Sequence, residues 1–405
     1  MGHKTSLTSI VLDGLMILPV TTLLQGLIPS INKIIFTAVF IIMLLDLLAN
    51  KIRLKDMLAI CALCGLYIWA IIKTNGMPYV FNDLFYFAFF CIYTLFIVYR
   101  QKAFYTYLEV KKKYVLCVIS IWSIIVLISL FSSTSYIKGG YFVSFSGNVF
   151  RLATASVYIL SMVLLLVNSN KKYILYTILP MYCIFSGGSR TYLALSMVLF
   201  MMILYMVCGN RKVFVMISIP MIALLLIFLL NSNIMQKILE TVQVQKSSTN
   251  EEFLRNFTSS RSVFWEADIK AYQAGNIFEK LFGYGFNHVY DVNVAAVHAK
   301  IYAHNDFINI ALNFGMAGVV LYLIIFKKMY DVCKKNSKIK GVLNWGIIFI
   351  WLFNAMFNMF YTYFCSVAAY PFLVIGVSEF IKSREMIKEK QNCKSAINIL
   401  SEEIE

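Results

Sequence analysis

Apolar runs close to twenty residues long, separated by short polar segments, make up most of this chain. An apolar helix of about 20 residues is long enough to cross the hydrocarbon core of a bilayer. The runs therefore predict an all-α polytopic membrane protein with about twelve transmembrane helices. The predicted spans are residues 10–28, 31–49, 56–72, 79–99, 113–133, 149–167, 171–186, 189–208, 213–231, 305–326, 342–360 and 363–381.

The first apolar run is too long for the core of a cleaved signal peptide, so we expect it to remain as a helix. It contains one acidic residue, Asp13. We expect this carboxylate to face protein rather than lipid, because a charged group in contact with hydrocarbon is costly.

One long polar block, at about residues 232–303, interrupts the apolar pattern. It contains seven Lys or Arg and seven Asp or Glu residues, so its net charge is zero in a protein of formal charge +16. A large polar insertion between membrane helices is where a membrane enzyme usually keeps its chemistry. We therefore searched this block and the turns on the same side of the membrane for reactive residues.

The charge distribution predicts which side of the membrane this block lies on. Charged residues make up only 14% of the chain, and most of the 36 Lys and Arg fall in alternate connecting segments. Basic residues collect on the cytoplasmic side, so both termini are expected inside and the long loop outside. The predicted regions are helices 1–9 in residues 1–231, the external loop at 232–303, helices 10–12 in 304–381 and a cytoplasmic tail at 382–405.

This topology also accounts for the basic balance of the chain. We expect weak attraction of the cytoplasmic loops to anionic membrane lipid and no nucleic acid as a partner.

The first group of candidate site residues is the turn Ser186-Gly187-Gly188-Ser189-Arg190-Thr191. Arg190 opens a predicted span on the external side. The free backbone N–H groups of a helix N-terminus and a guanidinium both favour an anion, and the planar guanidinium can hold a phosphate at two points. The alternative is that Arg190 only anchors the helix at the membrane surface.

The second group is Arg261-Ser262-Val263-Phe264-Trp265, inside the long loop. Arg261 and Trp265 are four residues apart and would share a face of a helix. Together they could hold a phosphate or stack on a sugar, or they could be a surface arginine that packs on a tryptophan. Arg255 could join the same basic patch or pair with a nearby glutamate.

The third group is Tyr302-Ala303-His304-Asn305-Asp306-Phe307, where the loop returns to the membrane. His304 has the residue type of a general base for a hydroxyl group, although a satisfied interfacial histidine is the alternative. Asp306 is a candidate to orient His304. Asp306, Asn309 and Asn313 keep one helix face polar, and this face should meet a cavity or another helix.

These segments, in this order, resemble the O-antigen polymerase and O-antigen ligase superfamily. The resemblance depends on Ser189-Arg190-Thr191, on Arg261 with Trp265, on Gly283-Tyr284-Gly285-Phe286, and on His304-Asn305-Asp306-Phe307 followed by Gly315 and Gly318. It covers residues 180–325 by motif and the whole chain by its pattern of spans. It implies a GT-C-like helical membrane fold with one large external loop.

The resemblance also implies a glycosyltransferase that works on glycans carried by undecaprenyl diphosphate at the external face of a bacterial cytoplasmic membrane. By motif match, Arg190 and Arg261 would lie at the diphosphate and His304 near the acceptor hydroxyl. Neighbouring side chains are expected to bind substrate: Ser189, Arg255, Trp265, Asn305, Asp306 and Asn309. No cofactor and no metal are expected, since the arginines would supply the positive charge.

Polymerase and ligase activities both fit this pattern. A polymerase transfers a growing glycan onto the next lipid-linked repeat unit, whereas a ligase transfers the finished chain onto lipid A-core. The richness of the chain in Phe, Tyr, Ile, Lys and Asn favours the polymerase. A lipid-linked oligosaccharide flippase is the alternative from a different class. The expected partners are the lipid-linked oligosaccharide and membrane lipid, and a chain-length regulator is a candidate.

Overall fold

The computed structural model describes residues 7–49, 52–74, 76–137, 140–210, 212–220, 261–334, 337, 339 and 341–402. Over these residues the chain is predominantly helical, which confirms the predicted all-α membrane class. The α-helices are α1 (Leu7–Leu23), α2 (Ile31–Leu48), α3 (Leu54–Thr74), α4 (Asp83–Val110), α5 (Lys112–Ser129), α6 (Val149–Val167), α7 (Ile178–Gly187), α8 (Arg190–Cys208), α9 (Arg261–Ala274), α10 (Ile277–Phe282), α11 (His288–Val297), α12 (Asp306–Lys334), α13 (Gly341–Phe357) and α14 (Phe364–Glu402). A short antiparallel hairpin, β1 (Tyr136–Ile137) with β2 (Tyr141–Phe142), lies between α5 and α6.

Nine helices in the described part of the chain are long and apolar enough to cross a membrane. The other three predicted spans have different outcomes. Residues 171–186 form a 3₁₀ helix, Lys171–Thr177, followed by the ten-residue α7. Residues 342–360 correspond to α13, which has 17 residues, and most of 213–231 lies outside the described residues. The total of twelve therefore stays a prediction.

Pro180 explains why the segment 171–186 is divided. It lies in the first turn of α7 and has no N–H to donate to the carbonyl four residues earlier. Proline is tolerated in the first turn of an α-helix, where that bond is missing anyway. An average of hydropathy over a window does not detect such a change of helix type.

The connection between the predicted spans 79–99 and 113–133 is mostly helical rather than a loop. Helix α4 continues to Val110, with a non-helical residue at Arg100 (φ −109°, ψ 20°). The guanidinium of Arg100 donates two hydrogen bonds to the carboxylate of Asp46 in α2, at 2.6 and 2.8 Å. The kink therefore lies where an ion pair connects two neighbouring helices.

Helices α6 and α14 form the centre of the bundle. They are largely buried and pack along each other. By contrast, α2, α3 and α5 expose many large apolar side chains, as expected for helices that face lipid. The expectation for Asp13 in α1 is confirmed, because its carboxylate accepts a hydrogen bond from Tyr107 and lies 3.7 Å from the Lys111 Nζ atom.

The described part of the long polar block, residues 261–303, folds into α9, α10 and α11 and docks on the end of α3. Trp69 donates to the carbonyl of Gly283 at 2.9 Å, and Thr74 accepts from the Phe286 N–H at 2.9 Å. In the turn that follows α3, the N–H of Tyr79 donates to Asn287 at 2.7 Å. These bonds position the block against the membrane helices.

Two glycines let the block approach α12 closely. Helix α12 kinks at Gly315 (φ 67°, ψ −169°), opposite Gly283 (φ 91°). A Cβ atom at Gly315 would lie 2.3 Å from the carbonyl carbon of Leu281, and one at Gly283 would lie 2.4 Å from that of Asn313. Backbone therefore meets backbone here, and both positions have a positive φ that favours glycine.

Candidate active site

Arg190 stands at the start of α8, directly after a turn made by glycine. Helix α7 ends at Gly187, and Gly188 adopts the left-handed conformation (φ 73°) that ends many helices. Ser189 is extended and buried, and its carbonyl accepts the N–H of Leu193 at 2.9 Å. Arg190 is thus the first helical residue, half-buried at a helix end that carries partial positive charge.

Arg261 is fixed by the end of a different helix. It is in the first described turn of α9, and its guanidinium donates to the carbonyl of Phe357, the last residue of α13. Trp265 is one turn further along α9, with its ring centroid 5.9 Å from that of Phe357. The expectation that Arg261 and Trp265 share a helix face is therefore confirmed.

Arg261 is close enough to Arg190 to feel its positive charge. Burial lowers the pKa of Arg261, and the positive charge of Arg190 lowers this pKa further. The nearby Tyr363 raises this pKa. Two like charges in a partly buried place favour an anion between them, because a bound anion offsets both the repulsion and the loss of solvation.

His304 lies beside Arg261 in an unusual backbone conformation. Its φ of 51° is left-handed, and its ring centroid is 6.1 Å from that of Phe264 in α9. Burial, and then the charge of Arg261, lower the pKa of His304 to about 4. The imidazole is therefore neutral at neutral pH. Its Nδ1 atom has no hydrogen-bond partner within the described part of the chain.

The residues on either side of His304 are held by side chains. Asn293 donates to the carbonyl of Ile301 at 3.1 Å, and Trp265 donates to the carbonyl of Ala303 at 2.5 Å. Asn305 accepts from two N–H groups of the first turn of α12, at 2.9 and 3.2 Å. A non-glycine residue in a left-handed conformation costs on the order of 1 kcal/mol or more, so it persists where its surroundings fix it.

The polar residues that follow His304 face the interior of the bundle. Asp306 is fully buried and accepts from the hydroxyl of Tyr322 at 2.6 Å. Asn309 is buried and donates to the Tyr361 hydroxyl at 2.5 Å. Asp306 therefore does not orient His304 as expected.

Asn305, Asp306 and Asn309 all have partners within the protein, and their assignment as substrate-binding residues stays a prediction. The same holds for Ser189 and Trp265. Arg255 lies outside the described residues.

Sequence analysis missed two residues of this region, Tyr363 and Arg151. Burial is the main reason that the pKa of Tyr363 is raised to about 12, and the charges of Arg261 and Arg151 act against this rise. Arg151 is in the first turn of α6, which begins after the capping residue Asn148. Each is a single polar residue at the edge of an apolar run, and no sequence pattern distinguishes it from other such residues. Only the packing of α6, α9 and α14 shows that Tyr363 lies near both Arg151 and Arg261.

Part of the chain, including this cluster, matches a known protein family. Residues 175–323 match the family described as O-antigen ligase. The match includes Arg190, Arg261 and His304 and ends within α12. The resemblance to the O-antigen ligase and polymerase superfamily is thus confirmed for this part of the chain. A search of curated proteins finds no significant match.

Proposed function

We propose that this protein is a surface-polysaccharide polymerase. It would transfer a growing glycan from undecaprenyl diphosphate onto the next lipid-linked repeat unit, at the external face of the cytoplasmic membrane. One observation supports this most strongly: Arg190, Arg261 and His304 form a chain of electrostatic neighbours, although more than a hundred residues separate the first from the last. The family match covers all three.

The proposed reaction needs positive charge at the leaving group. The bond between the anomeric carbon and the diphosphate oxygen breaks, and a bond forms from the acceptor hydroxyl oxygen to the same carbon. Negative charge grows on the diphosphate as it leaves. Arg190 and Arg261 would stabilise this charge more in the transition state than in the ground state, which accelerates the reaction. Direct attack opposite the leaving group inverts the anomeric configuration.

His304 would accept the proton of the acceptor hydroxyl. With a pKa of about 4 it is neutral, so it can take a proton, but it is a weak base. A diphosphate bound beside Arg261 would offset the arginine charge that lowers this pKa. Binding of the donor would therefore raise the basicity of His304 at the moment when it is needed.

The fold supports access for a lipid-linked substrate. Helices α6, α8 and α14 would all begin on the external side in the topology that the basic residues predict. Their N-terminal ends carry partial positive charge and add to the field of the arginines. A glycan carrier anchored in the bilayer would present its diphosphate at this level.

Ligase activity is the second candidate, because the matching family is described as O-antigen ligase. The same arginines and histidine would serve a ligase, and only the acceptor would differ. A flippase is a third candidate, of another class.

The glycan profile of a deletion strain separates these functions. Loss of a polymerase leaves single repeat units on the final acceptor. Loss of a ligase leaves long chains on undecaprenyl diphosphate, and loss of a flippase leaves lipid-linked units on the cytoplasmic side. We expect the first profile, and either of the other two would contradict the proposal.

A further inference from the structure

Asp83 is a buried carboxylate that the proposed chemistry does not use. It opens α4 and is only 6% exposed. Its two oxygens accept hydrogen bonds from two tyrosine hydroxyls, Tyr290 at 2.8 Å and Tyr302 at 3.0 Å. The rings of these tyrosines pack with their centroids 5.2 Å apart. Asp83 thus organises a small buried cluster.

Only one of the two tyrosines is in the same chain segment as His304, the candidate base. Tyr302 is two residues before His304 in the same short segment, whereas Tyr290 is in α11. Asp83 is in a membrane helix, more than two hundred residues away in sequence. The hydrogen bond from Tyr302 to Asp83 therefore ties the segment of His304 directly to the helix bundle.

This hydrogen bond matters because His304 lies in the short segment that joins the polar block to α12 of the bundle. Arg190 is on α8 of the bundle, while two of the contacts that hold the His304 segment come from Trp265 in α9 and Asn293 in α11. Those helices belong to the polar block. A contact from α4 fixes the segment relative to the bundle itself. The left-handed φ of His304 requires such support from several sides.

We propose that Asp83 is a positioning residue, which sets the location of His304 relative to Arg190 by holding the hydroxyl of Tyr302. This inference rests on the proposed function, because it assumes that His304 is the base. A displacement of about 1 Å in a catalytic group can cost about a hundredfold in rate. Loss of the hydrogen bond between Tyr302 and Asp83 should therefore slow the chemical step and leave the binding of the donor nearly unchanged.

The chain offers a matched pair of variants to test this. Tyr302→Phe and Tyr290→Phe each remove one hydroxyl from the same carboxylate. We expect Tyr302→Phe to lower kcat roughly 10- to 100-fold with KM changed less than about twofold. We expect Tyr290→Phe to stay within about threefold of wild type in both parameters, since Tyr290 is not in the segment of His304.

The assay uses full-length protein in lipid nanodiscs. Its substrate is the lipid-linked oligosaccharide extracted from the deletion strain, and the readout is the initial rate of chain extension. Thermal unfolding of both variants is followed in parallel. Equal losses of kcat in the two variants would overturn the proposal, because they would mean that Asp83 acts only as a structural residue.

Asp83→Asn provides a second test that does not depend on the tyrosines alone. The amide keeps only one accepting oxygen, so this variant should also lose kcat. If Asp83 acts through Tyr302, the double variant Asp83→Asn, Tyr302→Phe should be no slower than the slower single variant. Losses that multiply in the double variant would overturn the proposal. A wild-type protein that fails to extend the extracted lipid would instead refute the proposed function.

Discussion

Arg261 offers the most informative single perturbation of this site, because it acts on two steps at once. It is close to the charge of Arg190, where the diphosphate would bind, and its charge contributes to the low pKa of His304. Arg261→Ala removes both effects. Arg261→Gln removes the charge but keeps a polar side chain, and Arg261→Lys keeps the charge but loses the planar guanidinium.

The expected magnitude follows from these contacts. Removal of one donor from a developing oxyanion typically lowers kcat by about 10²- to 10³-fold, or roughly 3 kcal/mol. We expect a loss of this size for Arg261→Ala and Arg261→Gln. Arg261→Lys should lose less, about tenfold, because a point charge remains but two-point binding is lost.

The pH dependence provides an independent readout. In the wild type, the free enzyme should keep its base form down to about pH 4, so the acid limb of kcat/KM should lie near pH 4 rather than pH 6.5. Removal of a neighbouring positive charge favours protonated histidine. The acid limb of Arg261→Gln should therefore move to higher pH. Burial, the larger cause of the low pKa, should keep it below 6.5.

The assay is the initial rate of glycan extension by purified protein, measured from about pH 3 to pH 8. Lys270→Ala is the control on the same helix, since Lys270 forms an exposed pair with Glu266 and no other ion pair with the described residues. It should behave as wild type. A kcat of Arg261→Gln within threefold of wild type, or an acid limb that moved to lower pH, would contradict these roles of Arg261.

Two further predictions concern stability and are measured by thermal unfolding. Burial raises the pKa of Asp268 from its ordinary value of 3.8 to about 8. The stability that its neutral form contributes is therefore fully present below about pH 4 and is lost as pH rises through 8. Asp268→Asn should unfold at a higher temperature than wild type near pH 8, and the absence of any gain would contradict this prediction. Gly315→Ala should unfold at a markedly lower temperature, since a Cβ atom there meets the Leu281 backbone at 2.3 Å at positive φ. Gly65→Ala, which has open space in α3, should be neutral or stabilising, and equal effects of the two glycine substitutions would contradict the close approach.

The sequence was informative where local pattern determines structure. Apolar runs located most of the membrane helices, and paired glycines located the turn before Arg190. The spacing of Arg261 and Trp265 predicted a shared face, which their common contact with Phe357 confirms.

The sequence was less informative where tertiary contacts determine the role of a side chain. Asn305 caps α12, and Asp306 turns into the core towards Tyr322, and neither contact could be predicted from their place beside His304 in the sequence. The hydrogen bond between Asp83 and Tyr302 joins residues 219 positions apart in the chain. No periodicity in the sequence predicts this contact, because it forms only when α4 and the polar block pack together.

A pair of histidine variants tests whether His304 is the base of the glycosyl transfer. His304 and His298 both have left-handed φ angles, of 51° and 55°, and asparagine tolerates this conformation. His304→Asn should keep the backbone and remove the base, whereas His298→Asn alters an exposed position at the end of α11.

Both variants would be assayed for extension of the lipid-linked oligosaccharide extracted from the deletion strain. We expect His304→Asn to lose at least about a hundredfold in kcat, and we expect His298→Asn to extend chains as wild type does. Normal chain extension by His304→Asn would mean that His304 is not the base.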